Sequence, residues 1–504
     1  MKKIFAIAIA TLAVSSIQAQ DINDALRYGQ TDLNGTARFR AMSGAFGALG
    51  GDFSSLNVNP AGSVIFANNQ VGLTLSNFNI KNNSNYFGNK TSENDNSFDL
   101  NQAGAVFIFE NGSAKSDWKK FSIAINYENA RNLDNSIFSS GVNRQNSIDN
   151  YFLSYANGVP FGNLNSFNYE DLFFNEQQAY LGYNSYIIDP LNPTNNNIEY
   201  FTNIAGGGNY YQENSIESVG YNGKLTFNAA TEYKDKFAFG INLNSHFIDY
   251  RQSSSFFESN DNPKYAVGST VDRVRFNNQL YTYGTGFSFN IGTIFKPTKE
   301  VRLGLAYESP TWYRLNDELS QQVITSGYGL DPAQDNTLYS TQITNPNVIM
   351  IFQPYKLQTP GKWTGSFAYI FGKKGLISLD YSMKDFSNME YRPQNDFPNE
   401  NRSMRNLLTT SSEVRVGTEY KIKKLSLRGG YRWEQSPYKN GNAIGDLTGY
   451  SGGLGYNFGS TKVDLAYAHA KRNYNLQFFS QGLVDPARIE NITDNVTLTV
   501  IFEL

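Results

Sequence analysis

Apolar and polar side chains alternate with a period of two along much of this chain. At its end, Val496, Leu498, Val500, Phe502 and Leu504 interleave with Thr497, Thr499, Ile501 and Glu503. Val463, Leu465 and Tyr467 interleave with Lys462, Asp464 and Ala466. Leu425, Leu427, Gly429, Tyr431 and Trp433 interleave with Ser426, Arg428, Gly430, Arg432 and Glu434. Successive side chains of a β-strand point to opposite faces, so this period predicts strands with one greasy and one polar side. Fourteen such segments stand near 69–80, 101–110, 119–130, 222–233, 236–250, 282–296, 300–308, 355–371, 375–386, 412–421, 424–434, 448–458, 461–472 and 494–504. Most have the length a tilted strand needs to cross a bilayer.

A soluble sandwich alternates in the same way, so the connections decide. Short turns at Lys234-Asp235, Pro297-Thr298-Lys299, Gly372-Lys373-Lys374, Ile422-Lys423 and Gly459-Ser460, with a slightly longer one near Gly112, punctuate the series. Between them lie long polar stretches near 81–100, 131–221, 251–281, 309–354, 387–411, 435–447 and 473–493. Tight turns at one end and long loops at the other are the habit of bacterial outer-membrane barrels, and an even strand count closes the cylinder with no free edge in lipid. The pattern predicts an all-β fold, a 14-stranded antiparallel transmembrane β-barrel over residues 69–504. In that register Arg302, Glu308, Asp380, Lys384, Glu413, Arg415, Glu419, Arg428, Arg432, Glu434 and Asp464 face the lumen, with both signs interleaved.

Composition agrees. Aromatic residues make up 15% and charged residues only 17%, with 33 Tyr, 37 Phe and 43 Gly. That balance suits aromatic girdles and polar loops better than a soluble enzyme. Mean hydropathy is −0.45, and after the N-terminus no run is apolar and long enough for a helical span. Lys2 and Lys3 followed by the apolar stretch Ile4–Val14 and by Ala19 have the layout of a secretory signal peptide, so residues 1–19 are expected to be removed. A net charge of −3 gives no electrostatic case for nucleic acid. With no Cys there is neither a disulfide framework nor a cysteine nucleophile. The two histidines fall on different walls, His246 toward the lumen and His469 outward near the outer girdle. No phosphate loop, dinucleotide fingerprint or zinc motif occurs, so neither an enzyme nor a cofactor is expected.

Residues 20–68 precede the first strand and are too many for a simple tail. Within them Ala41-Met42-Ser43-Gly44-Ala45-Phe46-Gly47-Ala48-Leu49-Gly50-Gly51-Asp52 is dense in small residues that permit close packing in a confined space. It leads into the turn-forming Asn57-Val58-Asn59-Pro60-Ala61-Gly62. This arrangement resembles the N-terminal hatch of the FadL family of outer-membrane transporters of long-chain fatty acids and other hydrophobic compounds. Further ordered likenesses are Val301-Arg302-Leu303-Gly304-Leu305-Ala306-Tyr307-Glu308-Ser309-Pro310, Thr359-Pro360-Gly361 with Trp363, Leu379-Asp380-Tyr381-Ser382, Leu427-Arg428-Gly429-Gly430-Tyr431 with Ser436-Pro437, and Gly453-Leu454-Gly455-Tyr456 running on to Asp464-Leu465-Ala466-Tyr467.

The resemblance implies a barrel in the Gram-negative outer membrane, stoppered by residues 20–68. A hydrophobic ligand, a long-chain fatty acid first of all, would enter through extracellular loops, meet an apolar pocket near the hatch and leave sideways through the wall. It carries Asn59, Pro60 and Ala61 over as structural and gating residues. Phe46 and Phe53 are candidate apolar contacts, and Arg415, Arg428 and Arg432 are candidate partners for a carboxylate, which an arginine fork can grip with two donors. Outer-membrane lipid and lipopolysaccharide are the expected surroundings, and a monomer the expected state. The chain departs from the family in its long 131–221 loop and in a third strand with no Gly or Pro from Lys119 to Tyr127 to mark a kink. Rival readings are an enzyme built on a Ser–His pair at the outer wall, for which His469 has no Ser close by on its own strand, and a FadL-like barrel serving as a structural or secretion-associated partner.

Overall fold

The computed structural model describes residues 21–113, 115–330 and 337–504. The expected signal peptide lies outside the described residues. Fourteen staves form the wall: β1 (Gln70–Tyr86), β2 (Asn89–Glu110), β3 (Trp118–Asn132), β4 (Tyr210–Tyr233), β5 (Phe237–Ser259), β6 (Thr270–Phe295), β7 (Val301–Glu308, resuming as Trp312–Tyr328), β8 (Tyr355–Gln358, resuming as Lys362–Phe371), β9 (Gly375–Asp385), β10 (Thr410–Ile422), β11 (Leu425–Glu434), β12 (Ile444–Asn457), β13 (Thr461–Gln477) and β14 (Pro486–Glu503). Each pairs antiparallel with the next. β14 returns to β1 from Gln70↔Glu503 to Asn85↔Arg488, closing the cylinder. Closure satisfies every ladder edge inside lipid, the condition any membrane-spanning sheet must meet.

The period-two register holds. Leu303, Leu305, Phe367, Ile377, Leu379, Leu454, Leu465 and Leu498 are exposed on the outer face, while their polar neighbours in sequence turn inward. The β4–β5 connection is a tight three-residue turn between the paired Tyr233 and Phe237, with Lys234 and Asp235 at φ 52° and 55°, the handedness that matches strand twist.

The loops differ from expectation. Four stretches read as polar connections, 81–100, 251–281, 309–354 and 473–493, are largely strand, continuing the staves beyond the bilayer. A segment such as Asn89–Asp99 has polar side chains on both faces, so no hydrophobic alternation marks it. The stave expected at 355–371 is interrupted at Thr359-Pro360-Gly361, opposite the break at Ser309-Pro310-Thr311 in β7. Proline has no N–H to give the ladder, and side-chain parity flips there: Tyr307 and Trp312 both face outward, an odd number of residues apart. The third stave carries two bulges in its pairing with β4, at Trp118/Lys120 and Asn129/Arg131, and its pairing with β2 stops at Gln102↔Glu128.

The 131–221 connection is a hairpin with a domain set into its tip. The strand Asn135–Asn143 pairs with β4, and Asn143 lies opposite Tyr210. Between those residues the helices α3 (Asp149–Ala156), α4 (Phe161–Ser166) and α5 (Phe174–Asn184) build a cap. Ile148, Phe152, Leu181 and Ile188 of the cap pack with Phe256, Val274, Phe276 and Val323 of the staves and with Phe479 and Leu483 from the last extracellular loop. The buried Glu258 carboxylate pins it by accepting from Ser147, from Ile148 N at 3.0 Å and from Gln212 at 2.7 Å.

Inside the wall runs the leading segment, from α1 (Ile22–Gly29) and α2 (Ala37–Ala41) to the short turns Ser54–Asn57 and Pro60–Ile65. Its residues from Asn34 to Gly50 are nearly all buried.

Candidate functional site

Three layers fill the lumen. The lowest is the plug, which docks where inward positions of neighbouring staves lack side chains. Gly240 and Gly292 lie opposite each other on β5 and β6, and a Cβ at Gly292 would stand 2.9 Å from Pro60 Cδ and overlap Asn59. Gly72 and Gly104, paired on β1 and β2, make room for the Phe53 ring. Gly417 and Gly430, paired on β10 and β11, admit Met42 and Ser43. Gly453 on β12, opposite Ala466 on β13, admits Ala41. Backbone can approach backbone only where Cβ is absent, so these inward glycines form a seat around the wall.

Polar contacts fix the plug in that seat. Asp380 on β9 accepts from Phe46 N at 2.9 Å and Gly47 N at 3.0 Å. Arg302 donates to the Leu49 carbonyl at 2.8 Å. Arg40 donates to Asn34, the Leu33 carbonyl, Ser76, Asn495 and Thr497. Arg38 reaches Glu419 at 3.0 Å, and Arg428 joins the same carboxylate at 2.7 Å and Asp464 at 2.6 Å. Burial raises the Asp52 carboxyl above its ordinary range, opposed by Arg38 and by the Thr36 hydroxyl, which donates at 2.7 Å. Beneath these groups a cavity of about 250 Å³, lined by Arg38, Asp52, Glu419, Lys462 and Asp464 among others, opens toward the short turns.

The middle layer is charged. Glu308–Lys362 at 3.1 Å, Arg415–Glu413 at 2.6 Å and Arg472–Glu434 at 3.1 Å cross the lumen wall above the plug. Arg432, directly opposite Arg415, is 5% exposed, and its Nη1 has no hydrogen-bond partner among the described residues.

The upper layer is apolar. Ala25, Leu26 and Tyr28 of α1 sit among Tyr250, Tyr313, Leu315, Tyr355, Leu357, Phe386, Met389, Tyr391 and Phe397. Tyr391 donates to the Asp21 carbonyl at 3.0 Å, holding the start of α1 in this chamber.

The candidate residues from the sequence divide accordingly. Asn59 donates to the carbonyls of Gly47 at 2.7 Å and Thr293 at 3.0 Å and accepts from Ala61 N at 3.1 Å, so it caps the turn that Pro60 begins. Ala61 packs on Ala230, Ala238 and Ile294. Phe46 lies against Phe39 with Arg38 over its ring, and Phe53 against Phe66; both are fully buried between plug and wall. Arg415 and Arg428 are engaged by wall carboxylates, and Arg432 alone of the three keeps an unmatched buried donor. Sequence reasoning missed the glycine seat, the grip of Asp380 and the chamber around α1. Inward glycines at matched heights were the available signal for the first. His246 faces the lumen, 2.9 Å from Ser288 and near Tyr313. His469 faces outward, stacked on Tyr450 and 2.8 Å from Asp494, which are its cross-strand partners; no serine takes either place.

The sequence profile of the outer membrane protein transport family (OMPP1/FadL/TodX) matches residues 191–477, more than half of the chain. The chain belongs to that family. Like other FadL/TodX proteins it is a barrel of the Gram-negative outer membrane, of a family of transport channels. The fold is similar to the crystal structure of a Pseudomonas aeruginosa FadL homologue, with 12% identity over 94% of this chain and 99% of that one and a TM-score of 0.54. It is also similar to the Pseudomonas putida toluene transporter TodX, with 13% identity over 94% and 99% and a TM-score of 0.50. No curated protein matches the chain.

Proposed function

We propose that this barrel admits a long-chain fatty acid, or another hydrophobic small molecule, by passage gated at the hatch formed by residues 20–68, with lateral exit through the wall. The observation that carries the reading is the apolar chamber of the upper lumen, floored by charge and occupied by α1. Each methylene moved from water into such a chamber gains about 0.8 kcal/mol, and a ligand entering it takes the place of α1, which packs there. The unmatched Nη1 of Arg432 in the floor below is a donor for a carboxylate head group. Asn59, Pro60 and Ala61 hold the hatch to β5 and β6, and Phe46 and Phe53 line its seams. The site for lateral exit is the parting of β2 from β3 above Gln102↔Glu128, beside the Asn129/Arg131 bulge. In this reading the barrel works as a monomer surrounded by outer-membrane lipid and lipopolysaccharide, with no catalytic residue.

Uptake of a labelled C16 fatty acid, its alcohol and toluene by cells making the protein tests this. Saturable fatty acid uptake is expected, and Arg432→Gln is expected to weaken it several-fold while leaving the alcohol unaffected. Absence of saturable uptake of all three overturns the proposal. The second reading, a secretion-associated partner, draws on Phe167, Phe173, Leu191 and Phe201, which the cap leaves exposed. A stoichiometric protein complex isolated together with no uptake would favour it.

A further inference from the structure

Just above the break in β7 and β8, three cations stand side by side on the outer wall. Arg314 on β7 lies directly opposite Lys356 on β8, and Lys356 directly opposite Arg392 on the short strand Glu390–Arg392. All three are exposed, while Tyr313, Leu315, Tyr355, Leu357 and Tyr391 on the other face are buried. Like charges placed opposite each other on neighbouring strands repel. Arg392 has Glu390 at 2.8 Å, but Arg314 and Lys356 have no ion pair among the described residues. The row therefore calls for an anion from outside the chain.

Its height says which. One step toward the bilayer is Trp312, half-exposed and bonded through Nε1 to Gln358 at 3.2 Å; beyond the break is Trp363, packed on Tyr307. Aromatic side chains of this kind mark the membrane–water interface. Below them the wall is aliphatic, with a notch. Gly365 faces outward between Leu305 and Tyr381, and open space lies where its Cβ would be. A bare slot in a greasy wall, leading up to a girdle and then to paired cations, has the layout of an acyl chain, an interface and a phosphate.

We propose that Arg314, Lys356 and Arg392 bind the phosphate of an outer-leaflet glycolipid, with one of its acyl chains lodged at Gly365. The proposal concerns the outer wall and is independent of what the lumen carries.

Native mass spectrometry of the purified, detergent-solubilised full chain tests it, with diphosphoryl lipid A and its dephosphorylated counterpart as probes. The expected result is retention of the diphosphoryl form on the order of tenfold over the other. In R314Q/K356Q/R392Q that preference is expected to vanish while the barrel keeps its heat-modifiable migration. G365W is expected to reduce retention of both forms. Should the triple variant fail to fold, R314K/R392K, which keeps the charges, is expected to retain the preference, and its loss overturns the proposal. Equal retention by wild type and triple variant overturns it too, as does abolition of the preference by millimolar inorganic phosphate, which would mark an adventitious ion only.

Discussion

Gly292 illustrates how a single atom governs the lumen. A leucine there has to displace Asn59 or Pro60, because the wall strand behind it cannot retreat. Gly292→Leu is expected to unseat the plug and open a conductance in planar bilayers where the wild type has little; an equally closed variant would deny the seat. Asp380 acts in the opposite sense, since two plug amides end on its carboxylate. Losing charge-assisted bonds costs about 1.5–3 kcal/mol each, so Asp380→Ala should speed hydrogen exchange at residues 44–50 by an order of magnitude or more while leaving the strand amides protected. Lumen-facing residues were legible from alternation alone: every one of Arg302, Glu308, Asp380, Glu413, Glu419 and Asp464 points inward. Their partners were not, because a period fixes which face a side chain takes and carries no information about what stands across the cavity.

At the scale of elements, the staves inside lipid were readable because the bilayer imposes one greasy face, as in Leu303, Leu305 and Tyr307. Above the bilayer that constraint lapses. The polar β1–β2 hairpin continues to Tyr86 and Asn89 with no hydrophobic period, and the sequence offered only a loop there. The helices of the cap were hidden for a related reason, being short and aromatic on several sides. Their anchor is testable. Glu258→Gln removes the carboxylate that three cap and strand groups share, and limited proteolysis within 144–209 is expected to quicken severalfold while heat-modifiable migration of the barrel stays unchanged. Cleavage at the wild-type rate would show the cap to be held by its apolar core alone.

For the whole molecule, the cap is an insertion between two residues already paired across a hairpin, Asn143 and Tyr210. Replacing 144–209 by an Asn-Gly turn, which suits a two-residue hairpin, should leave a folded cylinder in the outer membrane. Slower uptake at low ligand concentration is then expected, with little change at saturation; a barrel that fails to assemble would instead assign the cap to folding. The glycine seat carries a different consequence. The plug is the first part of the described chain, yet its seat is contributed by staves from β1 to β13, so it has nowhere to rest until the cylinder is complete. The seat therefore exists only once the wall has closed, which ties retention of the stopper to the meeting of the last stave with the first.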